Sequence, residues 1–438
     1  MEEAKIDSIT LSVEFEETPA PKQYRSTHKM PLRVLFLSMD TGGGHRASAQ
    51  ALGKQFQILF PGSTYDLLDV WSDIYPSSQK RYQHLSTHPR QWRVLYHLNN
   101  SRTARKAMEL QCRLSVIDSL CEKMRGYDVV VSVHPLMNLA PKLAAEKLEI
   151  PFATVVTDLG SAHKTWFQSE MVFVASPALE KQAKAMGVKE VFRIGLPIRS
   201  DFTTHFDLMG DRTLTRGKAY RRQVQERLLL QAGVPVVLCM GGGDGVGSLC
   251  KSVEGIYTEL RRAGISATLC VVSGHNENLR RTLDRDWDEY YQKSCRPRRV
   301  IWNGCRSIDG VDEGIVTVQS LGFVKNIADY MVAADLLVTK AGPGTIAEAA
   351  ALGLPVILTS FLPGQEAGNV EFVVESGFGD FSPRHTASLV SEWLQTPGLL
   401  DLMSQNAHRT GCPDAAAEIA VEIAAATHFA STVKLCGR

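Results

Sequence analysis

The sequence lacks the features that usually identify membrane-spanning, disulfide-rich and nucleic-acid-binding chains. No apolar run approaches the length of about 18 to 20 residues that a bilayer span requires. The nine cysteines are scattered, are odd in number and include no CxxC pair, which argues against a disulfide framework or zinc site and favours a reducing compartment. The 48 Lys and Arg residues nearly cancel the 47 Asp and Glu residues. The chain as a whole therefore has no field that would attract nucleic acid.

The first 31 residues also lack the pattern of a targeting peptide. They begin MEEAKIDS, with acidic residues where secretory and plastid signals avoid them. We therefore expect residues 1–31 to be a disordered leader.

From Leu32 onward, apolar strands alternate with glycine turns and helices. Leu32 to Met39 is apolar, 40–44 is a glycine turn, and the following stretch to Phe60 has a helical pattern. Further buried strands are predicted at 64–70, 128–133, 152–157, 171–175 and 191–194. This alternation predicts an α/β fold in which residues 32–200 form a doubly wound parallel sheet.

The second half of the chain repeats this plan. Strands are predicted at 236–240, 267–273, 335–339 and 355–359, within a domain spanning 233–405. The polar stretch 201–232 is interpreted as a linker, residues 281–314 as a surface insertion, and residues 406–438 as an Ala-rich helix and tail that packs back over the cleft. The sequence thus predicts two facing Rossmann-like domains with a ligand cleft between them.

The first glycine turn allows two interpretations. Gly42, Gly44 and Ala47 match a GxGxxA dinucleotide fingerprint, with Asp66 about twenty residues further on. Alone, this pattern is typical of an NAD-dependent oxidoreductase, or of a turn in which glycine only permits close backbone approach. His45 favours another role, because an imidazole at the start of a helix is better placed to accept a proton than to hold a pyrophosphate.

The two glycine turns of the second half predict a diphosphate site. The segments 241–247 and 340–345 each follow a strand and open a helix, so their backbone N–H groups and helix dipoles favour an anion. Pro343 suits a first-turn position. Glu348 lies one turn further in, where its carboxylate would reach two vicinal ribose hydroxyls.

Seven motifs together resemble the monogalactosyldiacylglycerol synthases. They are DTGGGHRASA (40–49), SVHPLMN (132–138), VVTDL with HKTWF (155–167), GLPIR (195–199), MGGGDGVG (240–247), TKAGPGTIAEA (339–349) and PGQEAGNV (363–370). The resemblance covers roughly Leu32 to Ala407. It implies a GT-B fold and an inverting enzyme that transfers galactose from UDP-galactose to 1,2-diacylglycerol without a metal.

The resemblance also implies roles for individual residues. His45 is the implied general base. The implied UDP-binding residues are Arg199, Gly242, Gly243, Asp244, Gly245, Phe323, Val324, Lys340, Gly342, Pro343, Gly344, Thr345 and Glu348, with Phe323 and Val324 on the uracil and Glu348 on the ribose. The implied sugar-binding residues are Gln365, Glu366 and Asn369. The candidate acceptor or lipid residues are Gly43, Gly44, Trp92, His134, His163 and Trp166.

Some of these assignments have a structural alternative, and the sequence departs from the family pattern in places. His134 is equally compatible with a hydrogen-bonded structural histidine, Trp166 with a core residue, and Asp158 with a site role or a helix cap. Asp244 stands where the family usually has Glu, and Lys164 where it has Pro. The insertion 281–314 is foreign to the family.

A basic stretch in the first half predicts contact with anionic membrane lipids. Residues 74–108 contain seven Lys or Arg and no Asp or Glu, interleaved with aromatic residues such as Trp92, a pattern typical of a membrane surface or of a solvated basic face. The resemblance implies a peripheral protein of the plastid envelope. The leader does not look like a transit peptide, which leaves a cytoplasmic membrane face as the alternative.

Three other functions are considered. A diacylglycerol glucosyltransferase, or the related N-acetylglucosaminyltransferase of peptidoglycan lipid intermediates, shares the implied fold. An NAD-dependent oxidoreductase leaves the second-half glycine turns and His45 without a task. A catalytically inactive lipid-binding protein is disfavoured because His45, Glu348 and Gln365 are all present.

Overall fold

A computed structural model describes residues 30–39, 43–69, 116–241, 249–278, 280–281, 314–363 and 365–436. The predicted leader except its last two residues, the basic stretch with Trp92, the candidate UDP-binding residues 242–245 and nearly all of the insertion 281–314 lie outside these ranges. Within them the chain forms two six-stranded sheets in which all paired strands are parallel.

The first domain is built on the sheet order β2-β1-β3-β4-β5-β6. Its elements are β1 (Arg33–Leu37), α1 (Gly44–Leu59), β2 (Thr64–Leu68), α2 (Ile117–Met124), β3 (Val129–Ser132), α3 (Leu139–Leu148), β4 (Phe152–Val155), β5 (Met171–Val174), α4 (Pro177–Ala185) and β6 (Glu190–Arg193), with short 3-10 turns at Pro135–Met137 and Lys164–Trp166. Every residue of β3 is buried, as expected for a parallel strand covered on both faces.

The predicted linker 201–232 is not a simple connection between domains. It contains most of α5 (Ser200–Met209) and all of α6 (Thr215–Arg227), and Phe202 and Val224 are buried in the core of the second domain. Arg212 is also buried there and donates to the backbone oxygens of Leu352, Val332 and Ala334. The stretch has a polar composition because few of its side chains face the core.

The second domain has the sheet order β12-β11-β10-β7-β8-β9. Its elements are β7 (Val236–Met240), α7 (Leu249–Arg262), β8 (Ala267–Val272), β9 (Val316–Leu321), α8 (Ile327–Ala333), β10 (Leu336–Lys340), α9 (Pro343–Ala351), β11 (Val356–Ser360), α10 (Ala367–Glu375), β12 (Gly379–Phe381), α11 (Thr386–Gln395) and α12 (Leu399–Thr410). The edge strands β9 and β12 were absent from the sequence prediction.

The C-terminal segment returns to the first domain. After α12, helix α13 (Ala415–Cys436) lies against α1 and places Ile419 and Ile423 in the same core as Phe56. Its alanines permit close approach between the two helices. In the described ranges no helix is both long enough and apolar enough to span a bilayer.

Candidate active site

The carboxyl ends of β1, β3 and β4 bring His45, His134 and Thr157 together. His45 is the second residue of α1, which begins after Gly43 at a φ of 80°. The His45 Nδ1 atom lies 2.7 Å from the Thr157 hydroxyl oxygen, and its ring centroid lies 4.6 Å from that of His134. This edge is where open parallel sheets hold their ligands.

Burial keeps both imidazoles neutral at pH 7. His45 is 8 % exposed, and the resulting desolvation lowers its pKa to about 4, partly opposed by a hydrogen bond to the Val133 backbone. The pKa of His134 is well below its usual range because of burial, with repulsion from His45 as a smaller cause. His134 also accepts from the Leu136 backbone N–H at 3.2 Å, so it has the structural hydrogen bond that the sequence left as an alternative.

Asp158, the residue after Thr157, adds a buried carboxyl group. Its Oδ2 accepts from the Trp166 indole N–H at 2.8 Å. Burial raises the pKa of Asp158 from 3.8 to about 7, the Trp166 hydrogen bond opposes the shift, and the charge of Glu366 adds to it. Trp166 itself is fully buried in a core cluster, so it does not line an open groove in this conformation.

Across the cleft, two cations are paired with two of the acidic residues implied for the donor. Arg199 donates to one carboxylate oxygen of Glu348 through Nε at 3.1 Å and Nη2 at 2.9 Å. Burial raises the pKa of Glu348, and the Arg199 charge and hydrogen bonds oppose that rise. Lys340 lies 2.6 Å from Glu366, whose other carboxylate oxygen accepts from the Leu362 backbone N–H.

The turn before α9 presents an open helix N-terminus. Gly342 is the N-cap and Pro343 occupies the first turn, as predicted. A Cβ atom placed on Gly344 would meet nothing within 4 Å, so the side-chain face of this first turn is open. Such an end can bind an anion through its dipole and its backbone donors.

Comparison with known proteins gives one consistent result. Residues 45–198 match the family model for monogalactosyldiacylglycerol (MGDG) synthase, and residues 236–375 match the glycosyltransferase family 28 C-terminal domain. The chain is 33% identical to the spinach chloroplastic monogalactosyldiacylglycerol synthase over 412 residues, which cover 89% of this chain and 71% of the relative. It is 32% identical to the Arabidopsis thaliana synthase 3 over 413 residues, with 89% and 80% covered. The chain belongs to the monogalactosyldiacylglycerol synthase family.

A solved structure places this family member in a known fold. The Acinetobacter baumannii MurG structure superposes with a TM-score of 0.55 at 16% identity, over 90% of this chain and 99% of that chain. The two parallel sheets therefore form the GT-B fold, as the sequence predicted.

An aromatic pair lies beyond the ends of β8 and β9. Phe323 is 55 % exposed and stacks on His275, with ring centroids 4.1 Å apart and an interplanar angle of 15°. Val324 packs partly buried against the second-domain core. Sequence reasoning missed His275, which lies three residues after the end of β8, because a histidine in that position has no distinctive pattern.

Some of the remaining residues implied by the synthase pattern are exposed, and others already make hydrogen bonds within the protein. A Cβ on Gly43 or Gly44 would meet nothing within 4 Å, and Gln365 is partly exposed. His163 instead makes local bonds to Thr165, 2.8 Å from its hydroxyl. Asn369 is fully buried, with both ends of its amide engaged. Among the residues described, no group of three or more His, Cys, Asp or Glu side chains could hold a metal ion.

The raised pKa of Asp158 predicts a pH-dependent stability. Between pH 3.8 and about 7 the unfolded carboxyl loses its proton while the folded one keeps it, so wild-type stability falls as pH rises through this window. Asp158→Asn removes that loss and retains an acceptor for Trp166. We expect the variant to gain about 2 to 3 kcal/mol relative to wild type between pH 5 and pH 8.

Chemical denaturation at both pH values measures this gain. A Glu226→Gln variant, at an exposed carboxyl, serves as the control for removing a carboxylate charge. An Asp158→Asn effect of the same size at pH 5 and pH 8 would mean that Asp158 ionises normally in the folded protein.

Proposed function

We propose that this chain is an inverting galactosyltransferase. It transfers galactose from UDP-galactose to the free hydroxyl of 1,2-diacylglycerol and makes monogalactosyldiacylglycerol with a β linkage. The observation that carries the proposal is the match to named monogalactosyldiacylglycerol synthases across 89% of the chain. The neutral imidazole of His45 in one domain and the cationic turn of the other supply the groups that this chemistry requires.

The reaction begins with proton removal from the acceptor. His45 takes the hydroxyl proton while the hydroxyl oxygen attacks the anomeric carbon from the face opposite UDP. The bond from that carbon to the UDP oxygen breaks, UDP leaves with the electron pair, and the α-linked donor gives a β-linked product. Because burial lowers the pKa of His45 to about 4, the imidazole is available as a base at pH 7.

The leaving diphosphate requires positive charge. Arg199, Lys340 and the N–H groups of Gly344 and Thr345 are the proposed partners, since fixed donors stabilise charge that develops in the transition state. In this role they replace the metal ion that other transferases use. Arg199 is paired with Glu348 in this structure, so we propose that the diphosphate binds Arg199 in competition with that carboxylate and that Glu348 then bonds to the ribose.

Thr157 is a proposed positioning residue that sequence reasoning missed. Its hydroxyl bonds to His45 Nδ1, and such a bond fixes the ring orientation and tautomer of a catalytic histidine. We expect Thr157→Val, which keeps the shape, to lower kcat by about tenfold, since one buried hydrogen bond is worth roughly 1 to 2 kcal/mol. Steady-state turnover measures the effect.

Thr157→Ser is the matched control, because it restores the hydroxyl without the methyl group. It should recover most of the wild-type kcat. Equal losses in the Val and Ser variants would assign Thr157 a packing role only.

The proposed location is a membrane surface. The relatives are named as chloroplastic proteins, and we propose a peripheral position on the plastid envelope, with the basic stretch 74–108 on anionic lipid. Co-sedimentation with neutral vesicles and with vesicles containing about a third phosphatidylglycerol tests the contact. Binding that ignores anionic lipid content would identify the stretch as a solvated basic face.

The deciding experiment is turnover of the purified chain on diacylglycerol in mixed micelles. UDP-galactose and UDP-glucose are supplied in parallel, and the anomeric configuration of the product is read by NMR. A β-galactolipid formed from UDP-galactose in preference to UDP-glucose supports the proposal. A preference for UDP-glucose would identify the chain as a diacylglycerol glucosyltransferase. An α-linked product would show that the enzyme does not invert the anomeric carbon.

A further inference from the structure

The two domains meet where a loop of the first contacts the start of a helix of the second. The loop, residues 157–160, follows β4 in the first domain. The helical segment, residues 366–369, is the N-cap and first turn of α10 in the second domain. The Leu159 backbone N–H donates to Asn369 Oδ1 at 2.9 Å, and Asn369 Nδ2 donates to the Ala341 backbone oxygen at 3.0 Å. A single amide therefore links the first domain to the residue that precedes the Gly342 helix cap.

A pair of glycines beside this amide is a second, independent contact between the two domains. A Cβ atom placed on Gly160 would lie 1.7 Å from the Gly368 backbone oxygen, and one placed on Gly368 would lie 2.2 Å from the Ser161 nitrogen. Real Cβ atoms do not approach backbone so closely, so the two segments meet as they do only because both positions are glycine. The nearest atoms in both cases are backbone atoms, which cannot move aside as the end of a flexible side chain can.

We propose that Asn369 is a positioning residue that registers the two domains, and is not a ligand of the sugar. Together with Gly160 and Gly368 it forms an interdomain clasp. The inference rests on the proposed function and replaces the sugar-binding role implied for Asn369, since both ends of its fully buried amide are already bonded to protein.

The clasp lies only a few residues along the chain from the proposed base in one domain and from the proposed diphosphate turn in the other. Thr157, which bonds to His45, is two residues from Leu159. On the other side, Ala341 adjoins the proposed diphosphate turn. A shift in either link therefore moves the base relative to the donor, and misplacement of reacting groups by about 1 Å can cost a hundredfold in rate.

Two variants, one in each domain, test the clasp. Asn369→Leu removes both hydrogen bonds, and Gly160→Ala introduces the backbone clash. Each should lower kcat by roughly ten- to a hundredfold, the cost of misplacing the base relative to the donor, while the Kd for UDP and the Kd for UDP-galactose stay within about twofold of wild type. Hydrogen exchange at the Leu159 amide of the unliganded full chain should rise in both.

Gly255→Ala is the control. Gly255 lies in α7, where a new Cβ would make an ordinary contact 3.6 Å from Ala387, so kcat and Leu159 exchange should match wild type. A fall in UDP-galactose affinity but not in UDP affinity, with unchanged Leu159 exchange, would overturn the proposal and make Asn369 a sugar ligand. A wild-type chain that transfers no galactose would refute the proposed function, and the exchange measurement would still decide whether the clasp exists.

Discussion

His45→Ala should lower kcat for galactosyl transfer by a hundredfold or more, because loss of a general base typically costs two to four orders of magnitude. The substitution removes the imidazole that lies at the carboxyl ends of the first-domain strands beside His134. Affinity for UDP should stay close to wild type, since the proposed diphosphate partners lie on the other side of the cleft. Steady-state turnover and calorimetric UDP titration measure the two quantities.

The pH dependence of the wild-type chain checks the same assignment. A histidine with a pKa near 4 is neutral throughout the physiological range and becomes charged only in acid. The kcat/KM of the wild-type enzyme should therefore have no acid limb near pH 6.5 and should decline only as the pH approaches 4 to 5. An acid limb near the ordinary histidine pKa would indicate that His45 is solvated in the working enzyme.

His385→Ala is the matched control for His45→Ala. His385 is exposed at the start of α11, so its loss should leave kcat unchanged. If His45→Ala retained wild-type turnover with normal UDP binding, the general base would have to be another group.

Arg199→Ala should weaken the affinity for UDP by roughly ten- to a hundredfold, as expected for losing a charge-assisted, two-pronged guanidinium contact with a diphosphate. The substitution also leaves Glu348 buried without its cation, and burial already raises the pKa of that carboxyl. Glu348 should therefore bind a proton more readily in the variant, which preserves folding. Calorimetric titration with UDP measures the affinity.

Two further variants separate charge from ion-pair geometry. Arg199→Lys keeps the charge without the planar fork, so its UDP affinity should fall between those of wild type and Arg199→Ala. Arg227→Ala removes another ion pair, that between Arg227 and Asp329, at an exposed site where such pairs contribute little. Unchanged UDP affinity in Arg199→Ala would restrict Arg199 to holding Glu348.

Local patterns in the sequence predicted most of the fold. Runs such as 129–132 and 236–240 are apolar because parallel strands are covered on both faces, so their positions were readable one segment at a time. The edge strands were not, because β9 has mostly partly buried residues and β12 only three residues. The helices α5 and α6 were taken for a linker because a chain segment that packs through few side chains has a polar composition.

The sequence predicted those candidate site residues that lie at the end of a strand and have a side chain or turn suited to the reaction. His45 and the turn at 342–345 each lie where a strand passes into a helix, and the roles proposed for them rest on that position and on the family resemblance. Thr157 and His275 were missed because a threonine or histidine after a strand has no distinctive pattern. Only the fold shows that Thr157 faces His45, 112 residues away in the chain.

The sequence by itself determined the class of this protein: the alternating βα units, the glycine turns and the motifs that place it in its family. Tertiary structure alone decided which of the implied residues are open to a ligand. Trp166 is buried in a core cluster, and Arg199 is paired with Glu348. Asn369 accepts a hydrogen bond from the backbone of Leu159, 210 residues away in the chain. Such pairings depend on how two separately folded sheets dock, and docking joins residues whose separation in sequence carries no local signal.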